Sequence, residues 1–96
     1  MDSQDEIQKT FGSRLRLIRE RRGISQEKLA LACGLDRTYV SAVDRGKRNL
    51  TLVNIYRLAE ALEVDASIFL LPQDSFQAAL DKLPMQGIKV GRPKSA

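Results

Sequence analysis

The spacing of its glycines most limits what this chain can fold into. Gly23, Gly34 and Gly46 stand at the ends of segments whose apolar residues recur every three or four positions, and glycine often follows the last turn of a helix. The first segment carries a stripe with that spacing: Ile7, Phe11, Leu15 and Ile18. We therefore predict one longer helix, over about residues 6–22, followed by two helices of only about eight to ten residues each.

Each short helix begins at a residue type that caps helices. Ser25 precedes the first, with Glu27 in its first turn, and Asp36 precedes the second. Serine and aspartate oxygens accept hydrogen bonds from the free amides at a helix start, where the helix dipole also favours acidic residues. The second short helix spans residues 36–45. Two short helices joined by a few residues that include a glycine have the spacing of a helix-turn-helix motif.

Two more helices complete the predicted domain. Thr51 suits the N-cap of a fourth helix, and Asp65 suits that of a short fifth helix, which Pro72 prevents from continuing. The fourth helix carries the clearest apolar stripe in the chain: Leu52, Ile55, Leu58, Ala59 and Leu62. No segment of strand length alternates apolar and polar residues, so we predict an all-α fold.

The chain beyond Pro72 differs in composition from what precedes it. We assign residues 6–71 to one five-helix domain that contains the helix-turn-helix motif, and residues 72–96 to a C-terminal extension. Within the extension, residues 74–83 could form a short sixth helix, which needs a surface to pack on. Residues 87–96 contain three basic residues, two glycines and a proline but no acidic residue, a composition that favours a disordered tail.

Charge and cysteine content restrict the class of protein. The 96 residues include 16 Lys and Arg against 12 Asp and Glu, a net charge of +4, which favours a polyanionic partner. Cys33 is the single cysteine, so an intrachain disulfide is excluded and the composition suits a reducing compartment. We expect Cys33 to be a small buried core residue. The sequence has neither a membrane-spanning apolar run nor a secretory signal, so we expect a cytoplasmic protein with no membrane partner.

The predicted third helix carries its polar residues on one side. At ~100° per residue, one face of this helix holds five residues: Arg37, Thr38, Ser41, Ala42 and Arg45. Arginine can bond two acceptors of guanine, serine can donate or accept, and the threonine and alanine methyl groups can contact the methyl group of thymine. Val40 and Val43 fall on the other side, toward the other helices. The polar face suits the DNA major groove, although it would also suit an ordinary solvated surface.

Residues around this face suit the DNA backbone. Gln26 lies in the first turn of the second helix, where its amide could bond a phosphate or brace the third helix. Tyr39 should have a partly buried ring and a hydroxyl within reach of a phosphate. Three cations at the exit of the third helix suit neighbouring phosphates: Arg45, Lys47 and Arg48. Four arginines of the first helix are interpreted instead as solvated and generally electropositive: Arg14, Arg16, Arg21 and Arg22.

Three stretches of this sequence resemble the Cro/C1-type (XRE) family of helix-turn-helix transcriptional regulators. They are Ser25-Gln26-Glu27-Lys28-Leu29-Ala30, Gly34-Leu35-Asp36-Arg37-Thr38-Tyr39-Val40-Ser41 and Asp44-Arg45-Gly46, and the resemblance covers roughly residues 9–71. Within that family, the run from Leu35 to Ser41 together with Arg48-Asn49-Leu50-Thr51 is especially similar to the controller proteins of restriction-modification systems. Those are small dimers that bind palindromic operators and time expression of the restriction enzyme.

The resemblance implies roles for individual residues of a recognition helix and its surroundings. The residues implied to approach base edges are Arg37, Thr38 and Ser41. Those implied to hold the DNA backbone are Gln26, Tyr39 and Arg48. The resemblance also implies a salt bridge from Arg19 on the first helix to Asp44 on the third. The helical rotation agrees with that pair, because it puts Asp44 at the edge that faces the core.

Family members commonly pair through their fourth and fifth helices, and the resemblance implies a homodimer here. The fifth helix contains four consecutive apolar residues, too continuous a run for one buried face: Ile68, Phe69, Leu70 and Leu71. We expect one or two of these side chains to be exposed in a monomer and covered by a two-fold partner. Such a partner would place two recognition helices about one DNA turn apart, ~34 Å.

Other functions are weighed against a DNA-binding regulator. An enzyme is disfavoured because the chain has no histidine, no glycine-rich phosphate loop and no cluster of metal ligands. We expect no cofactor and no small-molecule ligand.

The alternative is a DNA-binding antitoxin whose C-terminal extension binds a toxin. The tail also contains Val90-Gly91-Arg92-Pro93-Lys94, which is similar to the Gly-Arg-Pro core of AT-hook peptides that lie in the minor groove. The simpler interpretation is a basic tail that is solvated or attracted to DNA without sequence preference.

Overall fold

The computed structural model of this chain describes residues 3–85, which form six helical segments and contain no strand. The segments are α1 (Gln4–Arg21), α2 (Gln26–Cys33), α3 (Arg37–Asp44), α4 (Leu52–Leu62), the short 3₁₀ helix η1 (Ala66–Leu70) and α5 (Gln73–Lys82). The predicted all-α class is confirmed, with the fifth helix in 3₁₀ form. The basic tail at 87–96, including its Gly-Arg-Pro sequence, lies outside the described residues.

Four of the helices end with the same hydrogen-bond pattern. Beyond each helix, a backbone amide donates to the carbonyl five residues earlier, as from Ile24 to Arg19. The residue before each donor has a positive φ: 69° to 72° at the three glycines predicted to end helices, and 58° at Glu63 after α4. Glycine adopts this conformation without a Cβ clash. At the end of α4 this position is a glutamate instead, so no glycine in the sequence indicated where α4 ends.

The helix starts agree with the predicted caps in part. The hydroxyl oxygens of Ser25 and Thr51 each accept a 3.1 Å hydrogen bond from the amide three residues later. Asp36 occupies the N-cap position of α3, but its side chain makes no capping hydrogen bond. α1 begins two residues earlier than predicted, because Ser3 and Glu6 form a capping box.

A close backbone contact sets the position of α3 against α1. Gly12 of α1 faces the end of α3, and a Cβ atom at this residue would lie 2.3 Å from the carbonyl oxygen of Val43. Only glycine fits at such a separation. Periodicity does not reveal this role, since a glycine inside a helix reads as a residue that weakens the helix.

All six segments contribute to one apolar core. Its largest fully buried side chains are Leu15, Ile18, Leu29, Val40, Val43, Leu58, Leu62 and Phe76. The rings of Phe11 and Phe69 stack, with their centroids 4.7 Å apart. Because Phe76 belongs to α5 and is only 1% exposed, the core continues past η1 into the C-terminal extension. That extension therefore has the packing surface that a helix of its length needs.

Four residues expected in the core are not fully buried, and one of them, Ile55, is half-buried against it. Ile7 and Leu52 are 55% and 71% exposed. Each lies in the first turn of its helix, at the edge of the packed region. Cys33 is half-buried, and this partial burial raises the pKa of its thiol.

The four consecutive apolar residues predicted as a dimer interface, in the fifth helix η1 and just after it, are not all on the surface. Ile68 and Phe69 are 5% and 2% exposed and belong to the core of their own chain, so their side chains cannot form a surface for a second copy. η1 contacts α1, α4 and α5, which covers more than one of its sides. Of the predicted interface residues, only Leu70, 72% exposed, and the half-buried Leu71 remain accessible.

Arg14 is also buried, contrary to its predicted solvated role. Its Nη1 atom donates to the carbonyl oxygens of Phe69 at 3.0 Å and Leu71 at 2.6 Å. The guanidinium carbon lies 4.6 Å from the ring centroid of Phe76, within cation–π distance. Burial lowers the pKa of Arg14, yet the charge persists at neutral pH because an arginine pKa starts so high. Arg14 thus joins α1 to both η1 and α5.

Two more of the arginines predicted as solvated contact the end of α5. Arg21 donates to the carbonyl oxygens of Asp81 and Leu83 at 2.8 and 3.0 Å. Arg22, 6% exposed, donates to the carbonyl oxygen of Pro84 at 2.9 Å. It also pairs with Glu63 at 3.2 Å. Only Arg16 among the four is solvated as predicted, in an exposed pair with Glu20.

Replacing Arg14 should destabilise the fold without altering the polar face of α3. We expect Arg14→Ala to lower the free energy of unfolding by about 3 kcal/mol, because two carbonyl oxygens lose their donor and Phe76 loses its cation. Urea denaturation followed by circular dichroism measures this. Arg16→Ala is the matched control and should change stability by less than ~0.5 kcal/mol, since exposed ion pairs contribute little. Equal effects of the two substitutions would contradict this role of Arg14.

Candidate nucleic-acid interface

One carboxylate joins the three helices that form the helix-turn-helix and its support. Asp44 at the end of α3 accepts from Arg19 of α1, with Oδ2 2.7 Å from Nη2, and from Nε2 of Gln26 of α2 at 3.0 Å. Arg19 also donates to the carbonyl oxygen of Ile24 at 3.0 Å. The side chains of Arg19 and Asp44 are 12% and 4% exposed. The structure thus brings together the residues of the predicted salt bridge and adds the bracing bond from Gln26.

This network holds a shallow hollow on the outside of α3. The hollow is lined by five residues that the sequence placed on or beside the polar face of the third helix: Gln26, Arg37, Thr38, Ser41 and Arg45. Arg37 and Thr38 are exposed, and Ser41 is half-buried. Ala42 is half-buried on the same helix but does not line the hollow. Four of the five polar-face residues therefore converge with Gln26 on one concave surface.

Arg45 is oriented within the hollow. Its Nη1 atom donates to Oγ of Ser41, one turn earlier, at 2.5 Å. The contact keeps the guanidinium beside the polar face of α3. The other N–H groups of Arg45 take no part in it. The sequence assigned Arg45 to phosphates, and the structure places its guanidinium beside Ser41 in the hollow on α3.

Tyr39 connects α3 to α4. Its hydroxyl oxygen accepts a 3.1 Å hydrogen bond from Nδ2 of Asn54, and its half-buried ring lies 4.7 Å from the guanidinium carbon of Arg48. Sequence reasoning placed Tyr39 and Arg48 near the DNA backbone but missed Asn54. The pattern held no signal for Asn54, because its partner lies fifteen residues earlier on another helix.

Positive charge continues beyond α3. Lys47 and Arg48 are exposed and follow Arg45 within three positions, so their charges extend the basic surface from α3 toward the start of α4. Lys47 has a backbone role as well, because its amide donates to the carbonyl oxygen of Ala42 at 2.9 Å. Positive charge therefore continues along the chain beyond the polar face of α3.

The outer face of α4 is apolar and uncovered. Leu52, Val53 and Tyr56 are 71%, 60% and 62% exposed, and their positions place them on one side of the helix, away from the buried Leu58 and Leu62. We call these three residues the α4 face. Sequence reasoning missed it, because Leu52 was assigned to the core stripe and the other two were not used. The signal was a second apolar stripe beside the first.

Two other features of the described residues bear on function. No group of three or more metal-ligating side chains occurs within residues 3–85. In the same part of the chain, none of the helices is both long enough and apolar enough to cross a membrane.

Comparison with known proteins gives a family match. A family model described as helix-turn-helix matches residues 15–69. A hypothetical transcription factor from Neisseria meningitidis serogroup B is 51% identical over 71 residues, which cover 74% of this chain and 66% of that relative. This chain therefore aligns with just under two thirds of the length of that curated relative.

Solved structures of controller proteins are also similar. The restriction-modification controller protein C.AhdI from Aeromonas hydrophila is 50% identical, with a TM-score of 0.63, over 67% of this chain and 96% of that chain. The controller protein C.Esp1396I, solved as a tetramer in complex with its natural 35 base-pair operator, is 30% identical, with a TM-score of 0.64, over 79% of this chain and 96% of that chain.

Removing Arg19 should test the network beneath the hollow. We expect Arg19→Ala to lower the free energy of unfolding by on the order of 3 kcal/mol, because it leaves a nearly buried carboxylate without its charge partner. Gln26→Ala is the graded control and should cost about 1 kcal/mol, since Asp44 keeps its salt bridge. Thermal melting measures both. A folded Arg19→Ala protein with an unchanged melting temperature would rule out a supporting role for this pair.

Proposed function

The chain belongs to the helix-turn-helix family of DNA-binding regulators, and from that premise we propose that it binds a palindromic operator as a homodimer, with residues 36–45 as its recognition helix. The observation that carries this proposal is the concave polar surface of α3, held from beneath by the nearly buried Arg19–Asp44 pair. Side chains that read bases must be held in place before contact, because loose positioning loses the geometric discrimination between base pairs.

The residues of the hollow divide the reading of bases among them. Arg37, exposed at the start of α3, can bond the two major-groove acceptors of guanine. Thr38 offers a methyl group for thymine and a hydroxyl for either base type. Ser41 and Arg45 are joined by a hydrogen bond, so we treat them as one polar unit. Ala42 beside them is small enough not to keep the helix away from the groove.

The surrounding residues fit the DNA backbone. The hydroxyl of Tyr39 accepts from Asn54, which leaves its own hydrogen free to donate to a phosphate oxygen. Arg48 stacks on the ring of Tyr39, so its charge lies beside the hydroxyl that we assign to a phosphate. Gln26 lines the hollow, and Lys47 follows the end of α3. Such contacts fix the register of a protein on DNA and add affinity at low salt.

A second copy of this chain is the proposed occupant of the α4 face. A palindromic operator presents two half-sites related by a two-fold axis, so a two-fold dimer matches it. The similar controller C.Esp1396I is a tetramer on its operator, which favours self-association for this chain too. The α4 face offers Val53 and Tyr56 with the exposed Leu52, and exposed apolar residues grouped in this way mark an interaction site.

A role as controller of a restriction-modification system is the finer proposal. Similarity to C.AhdI over nearly that whole chain supports it. The antitoxin alternative assigned the C-terminal extension, residues 72–96, to a protein partner, with the helix at 74–83 as its apolar part. Phe76 and Leu80 of that segment are buried in this chain's own core, so the apolar side of α5 is not free to receive a toxin. This favours the controller.

Selection of operators from random DNA is the direct test. The wild-type protein should enrich an inverted repeat with half-sites about one turn apart. Arg37→Ala should bind that repeat at least ~10-fold more weakly and lose discrimination at one position of each half-site, because a bidentate contact contributes roughly 1–3 kcal/mol. Fluorescence anisotropy over a salt series measures both effects.

The matched control for this test is Arg16→Ala, which removes an exposed arginine from α1. It should leave the preferred sequence unchanged. Enrichment of no sequence by the wild-type protein, with affinity that depends on salt alone, would refute sequence-specific binding.

The dimer is tested by placing charge on the α4 face. Val53→Asp should convert the protein to a monomer in sedimentation velocity and weaken binding to the full palindrome by at least ~10-fold, since a buried unpaired carboxylate is costly at an interface. Binding to one half-site should change far less. Leu31→Asp, at a residue of α2 that is 61% exposed, is the control and should remain dimeric. A Val53→Asp protein that stays dimeric would place the interface elsewhere.

A further inference from the structure

The N-terminal half of α1 touches the chain just beyond α3. A Cβ atom at Gly46 would lie 2.7 Å from Cα and 3.0 Å from Cγ of Lys9, so the backbone of Gly46 packs against both the backbone and the base of the lysine side chain. One turn later, Gly12 makes the close contact with the carbonyl of Val43 described above. Two glycine contacts, one on each segment, therefore fix where Lys9 stands relative to the end of α3.

This position places Lys9 beside cations that we assign to the DNA interface. Gly46 stands between Arg45, which lines the hollow, and the exposed Lys47. Successive Cα atoms are only about 3.8 Å apart, so a residue packed on Gly46 is a near neighbour of both. Lys9 thus adds a cation from a different helix to the basic segment that ends at Arg48. Sequence reasoning did not use Lys9, because nothing local shows that it meets Gly46.

The ammonium group of Lys9 is available to a ligand. Lys9 is exposed, and it takes part in none of the salt bridges formed within residues 3–85. Glu6, one turn earlier, instead uses Oε1 to accept from the amide and the hydroxyl of Ser3 at 3.3 and 3.2 Å. Asp5 is exposed at the i−4 position, where an ion pair would contribute little. A cation grouped with like charges is stabilised when an anion binds beside it.

We propose that the ammonium group of Lys9 binds a phosphate of the operator backbone, next to the phosphate bound by Lys47. The inference rests on the proposed function, because it assumes that the hollow on α3 faces the DNA. Duplex DNA carries one negative charge per ~1.7 Å of its axis, which is dense enough for neighbouring cations to bind separate phosphates. Phosphate contacts carry no sequence information. Lys9 therefore adds affinity and dependence on salt, and α3 selects the operator.

The test compares Lys9→Ala with the wild-type protein over a salt series, by fluorescence anisotropy on the selected operator and on an unrelated duplex. Each protomer loses one phosphate contact, so the slope of log affinity against log salt should fall by about 0.9 per protomer, or ~1.8 for a dimer on its operator. Operator selection from random DNA should return the wild-type sequence. Lys9→Arg keeps the charge and should keep the wild-type slope.

Lys82→Ala is the matched control. It removes the same charge from an exposed lysine of α5, a helix that contributes no residue to the hollow, and it should keep the wild-type slope. The melting temperature of Lys9→Ala should equal that of the wild type, because an exposed side chain without a salt bridge adds little to stability. Weaker binding then reports a lost contact with DNA and not a lost fold.

Three results would overturn the inference. They are a wild-type slope for Lys9→Ala, an equal reduction in Lys82→Ala, which would report net charge alone, and a changed operator preference in Lys9→Ala, which would indicate base reading. If the wild-type protein selects no operator, the proposed function fails by itself. The slope on the unrelated duplex then still decides whether Lys9 binds phosphate, so the two failures are distinguishable.

Discussion

The contacts of the Asp44 carboxylate with α1 and α2 are the interaction on which the rest of this structure depends. It receives a guanidinium from α1 and an amide from α2 while standing at the end of α3. Removing two charges from water costs much of what their attraction returns, so such a pair adds less to stability than its short distance suggests. Its larger effect is geometric, because the contacts to Asp44 form only while α1, α2 and α3 keep their relative positions.

That arrangement matters because the helices it joins cannot maintain themselves. α2 and α3 have eight residues each, and isolated helices of that length are not stable in water. Their stability comes from burial of Leu29, Val40 and Val43 and from the backbone contact at Gly12. The polar face of α3 therefore rests on a layer with little freedom to shift, as side-chain recognition of base edges requires.

Sequence reasoning recovered the features that arise within one element. Helix-ending glycines, hydroxyl caps and the polar face of α3 depend on neighbours a few positions away, so periodicity and residue type were enough to predict them. The features it missed depend on distant partners. Arg14 and Arg22 read as solvated because nothing local reveals acceptors 55 and 62 residues later. Ile68 and Phe69 read as an interface because the three segments around η1 cannot be seen in its own sequence.

The arginine contacts of α1 also affect how this chain can change over evolutionary time. Arg21 and Arg22 bond mainly to backbone carbonyls of the extension, and every residue type supplies a carbonyl. The exposed residues of that extension can therefore drift in sequence while the attachment persists. Each arginine, in contrast, supplies donors that lysine cannot arrange in the same fork. Mutational tolerance is thus unequal on the two sides of this contact, and a lineage can diversify its C-terminal segment without detaching it.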